Sequence, residues 1–322
     1  MPPLTMKEKI SAAILLFALC LTIILVTAQA GQSGRVSANE VENPNQPSSL
    51  TSLAPNNQSS DSRTCALKPE KSRTRPPSQT TVAPSQISLS TFRQFGSPSI
   101  PVIGQLINPA SFSSYTPRES IALAHPTNYG DRFLLDLYGQ PAYHPPVVVL
   151  HETVGSAGSA INYFRTPHPL DSDQVSYHTL IKRDGEVVYL VPPYKRAFGA
   201  GDSVFVGASG KEAVKTHPNY PPSVNNFAYH ISLETPPDGS HNGSRHSGYT
   251  MAQYQSLAWI VAKTGVPAPR ITAHKVVDRS GQRQDPRSFD NSTFLRLLQA
   301  QPMTKEIVID CQPPSQSELI NY

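Results

Sequence analysis

Two of the ten histidines in this 322-residue chain stand where a metal ion could use them. His151 follows the apolar run Val147-Val-Val-Leu150, His274 follows Ile271-Thr-Ala273, and each opens into polar loop sequence. Strand exits of this kind let two distant segments aim imidazoles at one metal. A helical His-Glu-x-x-His zinc motif is excluded although Glu152 follows His151, because the second histidine would fall on Gly155. His125, His144, His168 and His217 lie beside or near proline, and His241 and His246 lie in a Gly/Ser/Asn-rich loop, so these six read as solvated surface groups. Cys20, Cys65 and Cys311 have no Cys-x-x-Cys spacing, which excludes a thiolate zinc ribbon, an iron–sulfur cluster and a dense disulfide scaffold.

The elements that must position these histidines are legible from pattern. Val147–Leu150 has the uninterrupted apolar character of a buried strand and leads into a Gly/Ser turn and a short helix around Ser159–Phe164. Val175–Lys182 and Glu186–Val191 flank Arg183-Asp184-Gly185, a hairpin signal, because Asp-Gly accepts the positive φ of a tight turn. Tyr229–Glu234 alternates as a strand. Thr250 caps an amphipathic helix over Met251–Lys263 that Gly265 and Pro267 stop, Ile271–Ala273 is a short strand, and a last helix lies near Phe289–Leu298. Strands interleaved with helices, with a hairpin among them, predict an α/β domain built on a mixed β-sheet flanked by helices.

Taken in order, Val148-Val-Leu-His151, Val175-Ser-Tyr-His178 with Arg183-Asp-Gly185, Pro193-Tyr-Lys-Arg-Ala-Phe-Gly-Ala-Gly201, Ile231-Ser-Leu-Glu234, Thr250-Met-Ala-Gln-Tyr-Gln-Ser-Leu257 and Ile271-Thr-Ala-His274 with Asp285-Pro286 resemble the zinc-dependent N-acetylmuramoyl-L-alanine amidases of type 2. That family shares its fold with phage amidase lysozymes and peptidoglycan recognition proteins. The resemblance covers about half the chain and implies a single catalytic domain holding one Zn2+ on His151, His274 and Asp285. Asp278 and Asp290 are rival carboxylates, but only Asp285 is followed by proline as in the family. Aspartate rather than cysteine as third ligand resembles the muropeptide-amidase branch. The resemblance also implies Glu234 as general base, taking a proton from zinc-bound water and passing it to the leaving amide nitrogen. Tyr177 matches a tyrosine that supports the transition state, while His178 reads equally as a packed imidazole or one that orients a ligand.

Two positions depart from the pattern. Arg283 stands where relatives carry lysine, so electrostatic stabilisation survives there but proton exchange does not. Gly199 replaces the histidine of a Trp-His-Ala-Gly segment, which implies a missing substrate or oxyanion contact. The implied activity is hydrolysis of the amide between the lactyl group and L-alanine in peptidoglycan or muropeptides. Two alternatives stay open: a non-catalytic peptidoglycan-binding module of the same fold, and a zinc peptidase cutting within the stem peptide.

Composition bounds the rest. With 32 prolines, 38% hydrophobic and 16% charged residues, part of the chain is expected to lie outside any core. The net charge of +4, without a Lys/Arg block, argues against nucleic acid as partner. Residues 1–30 read as an export signal, with Lys7 and Lys9 before an uncharged run over residues 10–28 and a cleavage-like Ala28-Gln29-Ala30. Cleavage would leave a secreted or periplasmic enzyme; an uncleaved segment would anchor it to the membrane. Cys20 follows Leu19 rather than the small residue a lipidation signal wants. Residues 31–90 read as a disordered linker, since 31 of the 50 residues from Val41 to Ser90 are Ser, Thr, Pro, Asn or Gln. Residues 91–145 form an N-terminal flank packed on the domain, 146–300 the catalytic domain and 301–322 a C-terminal tail. If export leaves Cys65 and Cys311 in an oxidising compartment, they either pair or remain unrelated thiols. Oligomeric state is left open.

Overall fold

The computed structural model describes residues 63–69, 87–100, 114–311 and 313. The export signal, most of the linker and the end of the tail lie outside the described residues. In chain order the elements are β1 (Glu119–Ile121), β2 (Tyr129–Asp131), β3 (Val147–Glu152), α1 (Ala157–Arg165), β4 (Thr179–Ile181), β5 (Val187–Tyr189) and β6 (Lys195–Ala197). Then come β7 (Phe205–Gly207), β8 (Gly210–Glu212), β9 (Ala228–Leu233), α2 (Met251–Thr264), β10 (Ile271–Ala273), α3 (His274–Val277) and α4 (Asn291–Gln299). Among the described residues, no helix is long and apolar enough to cross a membrane.

Six strands make one mixed sheet in the order β1-β5-β4-β9-β3-β10, in which only β4 and β5 run antiparallel. That pair is the expected hairpin, turned at Gly185 with φ +86°. Every residue of β3 and β9 is buried, which is why β3 reads as an unbroken apolar run. Alternation still assigns their side chains to two faces. Val148, Leu150, Tyr229, Ile231 and Leu233 pack with Leu257, Ile260 and Val261 of α2 and with Phe294 and Leu298 of α4. On the opposite face Val147, Val149 and Ala228 pack with Phe227 and Val277, while Leu180 and Val188 pack with Ala157 and Phe164 of α1. Helix α2 has its expected ends: Thr250 and Gln253 form a capping box and Gly265 takes a left-handed C-cap with φ +65°.

The domain is larger than the sequence-based boundaries. Residues 63–69, assigned to the disordered linker, are tied in by a Cys65–Cys311 disulfide. The Ala66 amide donates to the Arg132 carbonyl at 2.9 Å, and the Leu134 amide donates to the Ala66 carbonyl at 3.0 Å. Phe92 is buried in the main core and stacks on Tyr189, while Ile87 and Leu89, also from the assigned linker, pack against that core. The flank supplies β1, an edge strand of the sheet, and the tail supplies buried Ile307 and Ile309. Arg93 fastens both ends, binding Glu119 and Glu306 at 2.7 Å each. Window-averaged composition hid these anchors because a few apolar side chains suffice to hold a polar segment down.

The disulfide joins residues 246 apart in sequence, so it restricts the unfolded chain strongly. Reducing it, or substituting Cys65→Ser, is expected to lower the unfolding free energy by about 2–4 kcal/mol. Urea denaturation reads this as a fall in midpoint; an unmoved midpoint would mean that closing this loop adds nothing.

Candidate metal and active site

His151 is the fifth residue of β3 and shares the face of Val147 and Val149, fully buried. β10 runs parallel to β3 with Ala273 opposite Leu150, so the next residue on each strand is a histidine. His274 is also the first residue of α3, where the chain turns from strand to helix. Asp285 returns to this point from a loop that Asp278 folds back, its carboxylate accepting the amides of Ser280, Gln282 and Arg283. The Lys275 amide then donates to the Asp285 carbonyl at 3.0 Å.

The result is a tight triad. His151 Nδ1 lies 3.2 Å from Asp285 Oδ2, and His274 Nδ1 lies 3.1 Å from the same oxygen and 3.0 Å from Oδ1. All three ligand atoms fall within 4.8 Å of one another, and this is the only such cluster among the described residues. Burial pushes the His151 imidazole down to about 4, which keeps it neutral. Burial would push the Asp285 carboxyl up, but the imidazoles of His151 and His274 beside it hold it well below the usual carboxylate range. Two imidazoles and one carboxylate, converging at the edge of a buried face, are a donor set that suits zinc with a position left open. The rivals are otherwise engaged: Asp278 holds its own loop, and Asp290 caps α4 by accepting the Thr293 amide at 3.0 Å.

Close neighbours of two of these residues have a second task. Glu152 points to the opposite face from His151 and is buried there with Arg287, two residues beyond Asp285; Arg287 Nε donates to Glu152 Oε1. The Arg287 guanidinium also donates to the carbonyls of Gly239, His241 and Gly243 at 2.7 Å. Glu152 Oε2 accepts from the Tyr249 hydroxyl at 2.7 Å and pairs with His246 Nε2 at 2.9 Å. His246 is therefore no solvated surface group: its side chain has no exposure, because the loop that carries it folds over Glu152.

The remaining expected site residues divide. The Tyr177 ring lies against His151, centroids 4.5 Å apart, and burial pushes its phenol well up, so it stays protonated. Arg283 is exposed, and its charge reaches His151 and Tyr177, adding a lesser downward pull to what burial does to each. With Gln284, Lys275, Arg245 and Arg287 it lines an open, cationic pocket beside Asp285. Glu234 is not brought to the triad. In the β3–β9 register Ser232 faces His151, and Glu234 lies two residues further along, about 7 Å at the usual strand rise. Its oxygens accept the amides of Ala157, at the start of α1, and Arg183, in the hairpin turn, at 2.8 and 2.9 Å. That carboxylate clamps two elements together.

His178 resolves as a packed ring, its Nδ1 accepting the His230 amide at 2.9 Å. His230, unremarked in the sequence, lies with Nδ1 2.9 Å from His151 Nε2. The signal was available, since strand alternation puts residues 230, 232 and 234 on one face. Gly199 leaves no gap either: a Cβ there would come within 2.6 Å of the His230 ring.

Residues 141–288 match the model of the family described as N-acetylmuramoyl-L-alanine amidase. The 1,6-anhydro-N-acetylmuramyl-L-alanine amidase AmpD of Citrobacter freundii is 32% identical over 129 residues, 39% of this chain and 58% of that protein. AmpD of Escherichia coli (strain K12) is 39% identical over 85 residues, 26% of this chain and 35% of that protein. The chain thus spans 58% and 35% of the length of these two curated relatives. A crystal structure of a selenomethionine derivative of AmpD aligns with a TM-score of 0.39 at 26% identity, covering 58% of this chain and 97% of that one.

Removing one partner of the Glu152–Arg287 pair strands a buried charge. Glu152→Ala is expected to cost about 3–5 kcal/mol of stability by urea denaturation. Arg118→Ala, breaking the exposed pair with Asp184, should leave the midpoint where it was. Equal effects of the two would mean that the Glu152 cluster is as dispensable as a surface contact.

Proposed function

We propose that this chain, whose residues 141–288 match the family model described as N-acetylmuramoyl-L-alanine amidase, hydrolyses the amide between the lactyl group of N-acetylmuramic acid and L-alanine in peptidoglycan or muropeptides, with one zinc ion per chain. The observation that carries the reading is the convergence of His151 Nδ1, His274 Nδ1 and the Asp285 carboxylate. Zinc held there supplies Lewis-acid polarisation of the scissile carbonyl and lowers the pKa of water toward neutrality.

The chain's own groups do the rest. His151 and Asp285 arrive neutral and ionised respectively, so no proton has to leave either before the metal is held. The protonated Tyr177 phenol donates a hydrogen bond to charge developing on the carbonyl oxygen, and Arg283 adds positive charge at the open rim. The cationic pocket of Arg245, Lys275 and Arg283 suits the carboxylates of a stem peptide. Glu234 acts by holding the α1 start to the hairpin rather than by moving protons.

We place the protein outside the cytoplasm, in the periplasm or cell envelope, secreted or anchored by residues 10–28. Its Cys65–Cys311 disulfide belongs to an oxidising compartment.

Mass analysis of a muropeptide digest tests the activity. Free stem peptide and intact sugar are expected, chelation should stop the release, and added zinc should restore it. Intact muropeptide in the presence of bound zinc would instead make this a binding module, and a cut between stem residues would make it a peptidase. Glu234→Gln should lose stability by about 1–3 kcal/mol through an unpaired amide yet still cleave; abolished cleavage in a folded, zinc-loaded variant would return Glu234 to the reacting atoms.

A further inference from the structure

Three buried side-chain polar atoms among the described residues have no partner, and two of them, His230 Nε2 and Ser232 Oγ, lie on the face of β9 that His151 shares. An imidazole buried with one nitrogen unpaired is a costly way to fill space, since leucine would fill it without stranding a polar atom. The ring is also given room at the expense of its neighbour: a Cβ on Gly199 would stand 2.6 Å from its Cγ and Nδ1, so position 199 must lack a side chain. His178 lies parallel to the ring, 5.7 Å away and 9° from coplanar, and takes the His230 amide on its Nδ1. A clamped, half-satisfied imidazole makes sense through the one side-chain bond it does make, 2.9 Å from its Nδ1 to His151 Nε2.

We infer that His230 is a positioning residue for the metal site: it accepts the His151 Nε2–H, so fixing the ring orientation and the tautomer that leave His151 Nδ1 free for the metal. A neutral imidazole with its Nδ1 lone pair on a metal carries its proton on Nε2, and at full burial that proton needs an acceptor inside the protein. His230 Nδ1 is the acceptor in reach. Gly199 and His230 therefore work as one unit, and this inference rests on the zinc reading above.

Zinc affinity, measured by chelator competition on the whole chain, is the test. His230→Leu fills the space without an acceptor and is expected to weaken zinc binding about 10- to 100-fold while remaining folded. His230→Asn carries its Oδ1 near where Nδ1 was and should recover much of that loss. Gly199→Ala, which displaces the ring without removing it, should weaken binding in the wild type and add nothing in the His230→Leu background. Cobalt substitution reads the same geometry, through a changed visible spectrum in His230→Leu. Wild-type zinc affinity in a folded His230→Leu variant overturns the positioning role alone. A wild-type chain that takes up no zinc overturns the metal reading and this inference with it.

Discussion

Everything in the site depends on the last two residues of β3 pointing to opposite faces of the sheet. His151 meets Asp285 on one side, and Glu152 meets Arg287 on the other. Asp285 and Arg287 are themselves two apart, so one short loop is gripped from both faces at the strand's exit. The buried ion pair contributes little net energy by itself, because desolvation offsets most of its attraction. Its value is geometric: it closes the loop over residues 239–249 and pins the backbone that presents the third ligand.

The face that carries His151 is unusual for a sheet interior. Val147, Val149 and Ala228 make an ordinary apolar layer near the start of β3 and β9, and toward their exits that layer gives way to His151, His230, Ser232 and the neighbouring His178. Burial keeps His151, His178 and His230 neutral, each pushed well down from the ordinary range. A neutral polar layer can be buried without uncompensated charge, yet its nitrogens still need partners. The opposite face, filled by α2 and α4, carries the stability that lets this one be polar.

Much of this was legible beforehand for local reasons. The Asp184-Gly185 turn, the Thr250 cap and the Gly265 stop each act within a few residues, and their elements formed where expected. Motif order singled out His151, His274 and Asp285 as candidate ligands, and these three side chains lie together. Matching the strand-end Glu234 to a motif could not say which residue lies across from His151; that residue is Ser232. His246, the segment around Cys65 and the pair Ile87 and Leu89 were misjudged because their polar neighbours dominate any local average, whereas distant partners decide their burial.

By itself, then, the sequence determined the alternating strands and helices, the hairpin, the helix ends and the types of ligand available, since each follows from periodicity or from the conformational preference of a few adjacent residues. Only the tertiary structure decided that Glu234 reaches the start of α1 and the hairpin turn while Ser232 lies across from His151, that His230 rather than residue 199 supplies the neighbouring ring, and that residues 63–69 and 87–90, outside the expected domain, belong to it. These outcomes turn on register between strands and on contacts between residues far apart in sequence, where an offset of two residues moves a side chain by about 7 Å along a strand and changes what it can reach.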